Sequence, residues 1–199
     1  MKEAEIVCCD TGLVYRNSRP HLRSVHAWHP TVVRLDDGTM LCAFDLGEAV
    51  ESLDYRTYIS RSTDGGKTWS PMQASSLPNN NSGTDAVTLK DGRQVLVYNH
   101  VKPDSSLPNG KGARTPLNVA VSKDGKQWWA AVILEDSPIS QYSYPSVIQT
   151  KDGMVHIVYT WRRERIKHVM IDPSKLKLEK ISNEKWPGFV VTVTKPSVD

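Results

Sequence analysis

The apolar positions of this chain fall in short runs rich in β-branched and aromatic residues, separated by turn residues, and no window carries the apolar spacing of a good helix. Runs at residues 29–35, 39–44, 55–60, 83–89, 93–98, 117–121, 129–134, 144–150, 154–159 and 165–171 read as strands. Helices are expected to be nearly absent.

Three of these pairs superpose. A strand run, an Asp-Gly pair (Asp37-Gly38, Asp91-Gly92, Asp152-Gly153) and a second run ending in an aromatic residue recur at spacings of about 54 and 61 residues. The aromatic is Phe44, Tyr98 or Tyr159, six residues past the glycine each time. Asp-Gly favours a tight hairpin turn, because glycine reaches positive φ without cost. A third run follows each copy, and the first two copies continue into a turn and a fourth strand. Four antiparallel strands at this period is the arithmetic of a propeller blade, so the chain is expected to be all-β: a β-propeller of four-stranded blades, about three of them encoded, spanning roughly 24–75, 83–136 and 142–199 of one domain covering 1–199. A closing strand for the last blade is sought at 4–15, where Glu5 to Cys9 suit the role, or at 189–193.

Between third and fourth strands lies the most specific motif. Ser62-Thr63-Asp64-Gly65-Gly66-Lys67-Thr68-Trp69 fits Ser-x-Asp-x-Gly-x-Thr-Trp throughout, and Ser122 to Trp128 repeats it one residue shorter. A carboxylate in such a turn bonds nearby amides, glycines supply positive φ and the tryptophan packs, so Asp64 and Asp124 read as structural. The third copy keeps only Ile171-Asp172-Pro173.

These boxes resemble the Asp-box (BNR repeat) of sialidase-like propellers, and the resemblance extends over most of the chain. Arg114 to Ser122, Tyr142 to Gly153 and Tyr159-Thr160-Trp161-Arg162-Arg163 look like the C-terminal blades of bacterial exo-sialidases, six-bladed proteins of which this chain would be half. The resemblance implies a substrate-binding arginine at Arg114 and a catalytic tyrosine at Tyr144. Other family positions differ: the first binding arginine has no counterpart beside Trp28-His29-Pro30, a second falls at Asn99, and the glutamate that assists the tyrosine falls near Gly83, with Asp85 the nearest acid.

The repeat alone also predicts a shared pocket, since His29, Asp85 and Tyr144 open the inner strands of the three copies. A sialic-acid-like sugar bears a carboxylate at its anomeric carbon, which repels an anionic nucleophile and suits a neutral tyrosine. On this scheme Tyr144 attacks, Asp85 draws off its proton, Glu51 or Asp54 protonates the leaving oxygen, and Arg114 grips the carboxylate, aided by Arg162, Arg163 or an N-terminal arginine such as Arg23. The expected function is a retaining glycoside hydrolase of sialidase type. A non-catalytic propeller that binds carbohydrate or protein, and a polysaccharide lyase using Tyr144 or His29 as base, stay open as alternatives.

Composition trims the alternatives. The 25 basic and 22 acidic residues leave only +3, scattered along 199 residues, so nucleic acid is not an expected partner. No apolar run approaches a membrane span, and the start Met-Lys-Glu-Ala-Glu lacks the apolar segment of a signal peptide, so a cytoplasmic protein is expected. The three cysteines, with Cys8 and Cys9 adjacent, exclude a disulfide scaffold, and Cys42 in an apolar run reads as core. His21, His26 and His29 lack a metal-ligand spacing; neither metal nor cofactor is expected. Three blades leave an open wedge with two bare sheet faces, so the chain is expected to be a shortened product that folds poorly, or to associate head to tail as a homodimer restoring six blades or as a higher ring.

Overall fold

A computed structural model describes residues 13–14, 26–47, 56–106, 112–138 and 141–188. Among these residues, twelve strands form three antiparallel sheets. The first holds β1 (His26–Arg34), β2 (Met40–Gly47), β3 (Arg56–Ser62) and β4 (Gln73–Ala74) in sequence order. The middle sheet holds β5 (Asp85–Thr88), β6 (Gln94–Tyr98), β7 (Leu117–Ser122) and β8 (Trp129–Glu135); the third holds β9 (Tyr142–Gln149), β10 (Val155–Trp161) and β11 (Arg165–Ile171). The only helical turn among the described residues is the 3-10 turn Pro173–Lys175.

The Asp-Gly hairpins close alike in all three sheets. Leu35, Leu89 and Thr150 each donate an N–H across the turn, to the carbonyls of Thr39, Arg93 and Met154 at 2.7 to 2.9 Å, and accept from the turn glycine at 3.0 Å. Gly38, Gly92 and Gly153 sit at φ of 85°, 84° and 91°, the left-handed region this three-residue loop needs. The preceding aspartates Asp37, Asp91 and Asp152 each accept the N–H two residues on.

The boxes fold around their aspartates. Asp64 accepts the Thr68 N–H at 3.0 Å and the Ser62 hydroxyl at 2.7 Å, while Gly66 N–H donates to Ser62 Oγ at 2.9 Å. Asp124 accepts Lys126 and Gln127 N–H at 2.8 and 2.9 Å. The hydroxyl and N–H of Thr68 hold the Asp64 carboxyl far below the usual carboxylate range. Asp172, in the eroded third copy, still accepts Ser174 N–H at 3.0 Å and caps the 3-10 turn.

Stacking follows from the side-chain alternation. Val95, Val97, Val119 and Val121 of the middle sheet pack on Val147, Val155, Ile157 and Tyr159 of the third, forming the main core. The opposite face of the middle sheet, with Leu96, Tyr98, Ala120 and Trp128, meets Val33, Leu41, Ala43 and Ile59 of the first across an apolar gap of about 40 Å³. Box residue Trp128 therefore packs between sheets, whereas Trp69 packs on the far face of the first sheet beside Cys42 and Phe44. Cys42 is a buried free thiol.

The inner strands lie side by side. Asp85 accepts the Val147 N–H at 2.8 Å and the Thr31 hydroxyl at 3.3 Å, so one carboxylate on β5 touches both β1 and β9. Thr88 donates to the Arg34 carbonyl at 2.7 Å, and the Lys90 N–H donates to Gln149 Oε1 at 2.7 Å. Sheets radiating from adjacent inner strands are blades, and the all-β propeller class holds. The chain after β11 turns back: β12 (Glu179–Lys180) pairs with β8 on the rim of the middle sheet, with Glu179 opposite Ala130. The third sheet has three strands among the described residues; of the two segments proposed to close it, Glu5 to Cys9 and 189–193 lie outside those residues, and Val14 of the 4–15 segment packs on the first sheet beside Cys42 and Phe44.

Candidate functional site

Antiparallel order puts the Asp-Gly turns and both boxes at one end of the sheets. At the other end stand the start of β9, the segment before β7 and the β10–β11 hairpin, which carry Tyr144, Arg114 and Arg162-Arg163.

Tyr144 is aimed by a bulge. Ser146 pairs with Val158 and Ser143 with Thr160, so residues 144 and 145 together face the single residue Tyr159. Tyr144 takes φ of 53°, a left-handed conformation unusual for a bulky residue, and its side chain is 51% exposed in a strand otherwise buried on alternate positions. Pro145 supplies the missing N–H such a bulge tolerates. The first repeat repeats the device: β1 shifts register between Trp28 and Thr31, over His29-Pro30.

Over the Tyr144 ring lies the Arg114 guanidinium, its Cζ 4.9 Å from the ring centroid. Backbone bonds hold the pair together. The Tyr142 N–H donates to the Arg114 carbonyl at 2.9 Å, and Asn99, fully buried at the end of β6, donates to the carbonyls of Pro116 at 2.8 Å and Tyr142 at 3.1 Å. Gln141 brings in the hairpin: its carbonyl accepts the Arg162 N–H at 2.6 Å and its side chain accepts from Arg163 Nε at 2.6 Å. Trp161 carries the guanidinium groups of Arg162 at 5.0 Å and Arg165 at 4.7 Å. The result is a cationic, aromatic-floored rim at the start of β9.

The structure thus brings together Arg114, Tyr144, Arg162 and Arg163. Asp85 lies on the neighbouring inner strand with its carboxylate bonded to Val147 and Thr31. His29 lies on β1, in the bulge equivalent to that of Tyr144. Glu51, Asp54 and Arg23 lie outside the described residues. Asn99, where the family resemblance puts an arginine, is a buried brace rather than a surface ligand. Gln141 had no mark in the sequence as a site residue, and Asn99 was marked only as the place of a missing arginine, because what both do is join segments distant along the chain. The bulge was partly legible, since proline at a strand start is a bulge signal.

Fold and site together define a sialidase-like propeller. The chain matches the BNR repeat-like domain over residues 5–157 and belongs to that family. Among solved structures it is similar to the intramolecular trans-sialidase from Ruminococcus gnavus, with 17% identity over 83% of this chain and 36% of that one, at a TM-score of 0.57. A Hadza microbial sialidase, Hz136, matches at 16% identity, 77% and 37% coverage and a TM-score of 0.52. An α-L-arabinofuranosidase of Fusarium graminearum matches at 19%, 73%, 45% and 0.52. The chain spans between 36% and 50% of the first three of the solved chains it matches. No curated protein matches it. No helix of the described residues is long and apolar enough to cross a membrane.

Proposed function

We propose that the chain carries the tyrosine and carboxylate-binding side of a sialidase-type glycosidase acting on a terminal sialic acid or a related acidic sugar. The observation behind this reading is the Arg114–Tyr144 pair: an exposed tyrosine, set by a strained bulge, beneath a guanidinium at the open end of the blades. Arg114 would hold the sugar carboxylate in two parallel N–H···O bonds. The Tyr144 hydroxyl oxygen would then attack the anomeric carbon, giving its proton to a carboxylate, as the bond to the leaving oxygen breaks and that oxygen takes a proton from a second acid. Water would reverse the first step with retention. Arg162 and Arg163 extend the positive rim towards the remaining substituents.

A second reading is binding of the same sugar without turnover. Asp85, the carboxylate assigned to take the Tyr144 proton, already bonds Val147 and Thr31, and Asn99 stands where a further arginine is expected. A fluorogenic sialoside assay separates the two. The hydrolase reading expects turnover in the parent that falls at least about a hundredfold in Tyr144→Phe. Saturable sialic acid binding with no turnover, lost in Arg114→Ala, would select the second reading, and an unsaturated uronate released from a polyuronide would point to the lyase.

A further inference from the structure

The hairpin between β10 and β11, Trp161-Arg162-Arg163-Glu164-Arg165, packs three arginines and one glutamate into five residues. Arg162 and Arg163 take the two central places of its tight turn, at φ of 51° and 57°, and the Glu164 N–H closes it by donating to the Trp161 carbonyl at 3.0 Å. Asn-Gly is the usual pair in such a turn, because both places need positive φ. Two long cationic side chains are thus held where small residues fold more easily, and strain of that kind points to a use for the side chains. The one acid offsets only part of the charge. Glu164 lies 3.6 Å from Arg162 and 4.0 Å from Arg165, whereas Arg163 is bonded to the neutral Gln141 carboxamide.

A single peptide unit stands between this turn and Arg114. The Gln141 carbonyl accepts the Arg162 N–H at 2.6 Å, and the Tyr142 N–H of the same unit donates to the Arg114 carbonyl at 2.9 Å. In a trans peptide these two groups point opposite ways, so the backbones of Arg114 and Arg162 flank the start of β9, two strand spacings or about 9–10 Å apart. Each guanidinium also has its own ring. Arg114 lies over Tyr144, while Arg162 shares Trp161 with Arg165. A carboxylate gripped in two parallel bonds occupies one guanidinium, and two guanidinium groups seated on different rings suit two anions.

We propose that the Arg162–Arg163 turn is a second anion seat beside that of Arg114, and that in a glycan it takes the carboxylate of the sugar next to the terminal one. The preferred substrate is then a chain ending in two consecutive acidic sugars. This rests on the sialic acid reading of the site, with Arg114 holding the terminal residue and the turn the inner one. Calorimetric titration with a sialic acid dimer, and with sialyllactose, whose inner sugar is neutral, tests it; Tyr144→Phe serves as the parent, because it blocks turnover and keeps the ring. The dimer is expected to bind at least about tenfold tighter at low salt. That preference shrinks as salt rises, since the added contact is ionic, a readout that needs no change to the turn. Adding Arg162→Gln with Arg163→Gln brings the two affinities within about twofold of each other, whereas Arg162→Lys with Arg163→Lys keeps part of the preference. Equal affinity of the parent for both glycans, or a preference that the glutamine pair retains, overturns the second seat and leaves the sialic acid reading standing. Binding of neither glycan overturns both.

Discussion

The middle and third sheets are copies of one repeat in different surroundings. Every residue of β6 and β7 is buried, whereas β10 alternates, with Val155, Ile157 and Tyr159 inside and Val158 exposed. Backbone and turns are shared; the difference is one neighbour more. The sequence registers it, since Val95 and Val97 of the covered face become His156 and Val158, and Val119 becomes His168. A strand with sheets on both sides is apolar on both, and polar residues re-enter where a side lies open.

The sharpest way to break this comparison is one charge placed at equivalent positions. Val97→Asp buries an unpaired carboxylate in a 0% exposed site and should cost about 3–5 kcal/mol, enough to unfold much of the chain in a urea titration. Val158→Asp, its repeat equivalent, should shift the stability of the single chain by about 0.5 kcal/mol or less. Equal effects would mean that the two sheets are not differently covered.

Tyr98 and Tyr159 sharpen it further. Both are buried repeat equivalents, but Tyr98 hydrogen-bonds His100 Nδ1 at 2.6 Å, whereas Tyr159 donates to Glu135 Oε1 at 2.6 Å, on a carboxylate also paired with Lys167. Tyr159→Phe should cost about 1.5–3 kcal/mol and Tyr98→Phe about 0.5–1.5, because the first bond has an ionised acceptor. Phe44, in the first repeat, lacks a hydroxyl altogether. Burial also raises the Tyr159 hydroxyl pKa well above its ordinary value, reinforced by Glu135. Its stability contribution is present below the unfolded value near 10 and lost as pH rises above it.

His100, at the end of β6, has its pKa lowered by burial, with the Glu184 carbonyl opposing. A depressed folded pKa means the unfolded chain takes the proton first, so this contribution is present above about 6.5 and lost as pH falls below it. Thermal unfolding between pH 7 and 5 should show that loss in the parent and a flatter profile in His100→Gln, which would sharpen the contrast with the third sheet, where Tyr159 responds only at alkaline pH.

The smallest effects are expected in the turns. Burial pushes the Asp124 pKa up, but Gln127 and Lys126 N–H bonds outweigh it and leave the group below its ordinary value; Asp172 is lowered by the Ser174 hydroxyl and N–H. Both contributions hold above the unfolded value near 4 and fade as pH falls further. Asp124→Asn should lower the melting temperature more than Asp172→Asn, and each gap should narrow below pH 4.

Much of this was legible in local sequence. The Asp-Gly hairpins, the boxes and the strand pairs are short-range chemistry, and Gly38, Asp64 and Asp124 perform it as read. Arg114 and Tyr144 were singled out by the family resemblance, whereas the repeat itself pointed to His29, Asp85 and Tyr144 at the starts of the inner strands. What escaped depends on long-range polar links: Asp85 tying three inner strands, Asn99 and Gln141 bracing the site, and β12 returning to the middle sheet, a two-residue strand too short for any periodicity.

The claim on which the rest hangs is that the hub ends of these blades form one anion-binding surface, away from the Asp boxes. An NMR titration of the assigned protein with N-acetylneuraminic acid tests it most directly. Saturable shifts concentrated at Arg114, Tyr144 and the Arg162–Arg163 hairpin, abolished by Arg114→Ala, are the expected result. Shifts centred on the Asp64 and Asp124 turns, or no saturable shifts at all, would contradict it.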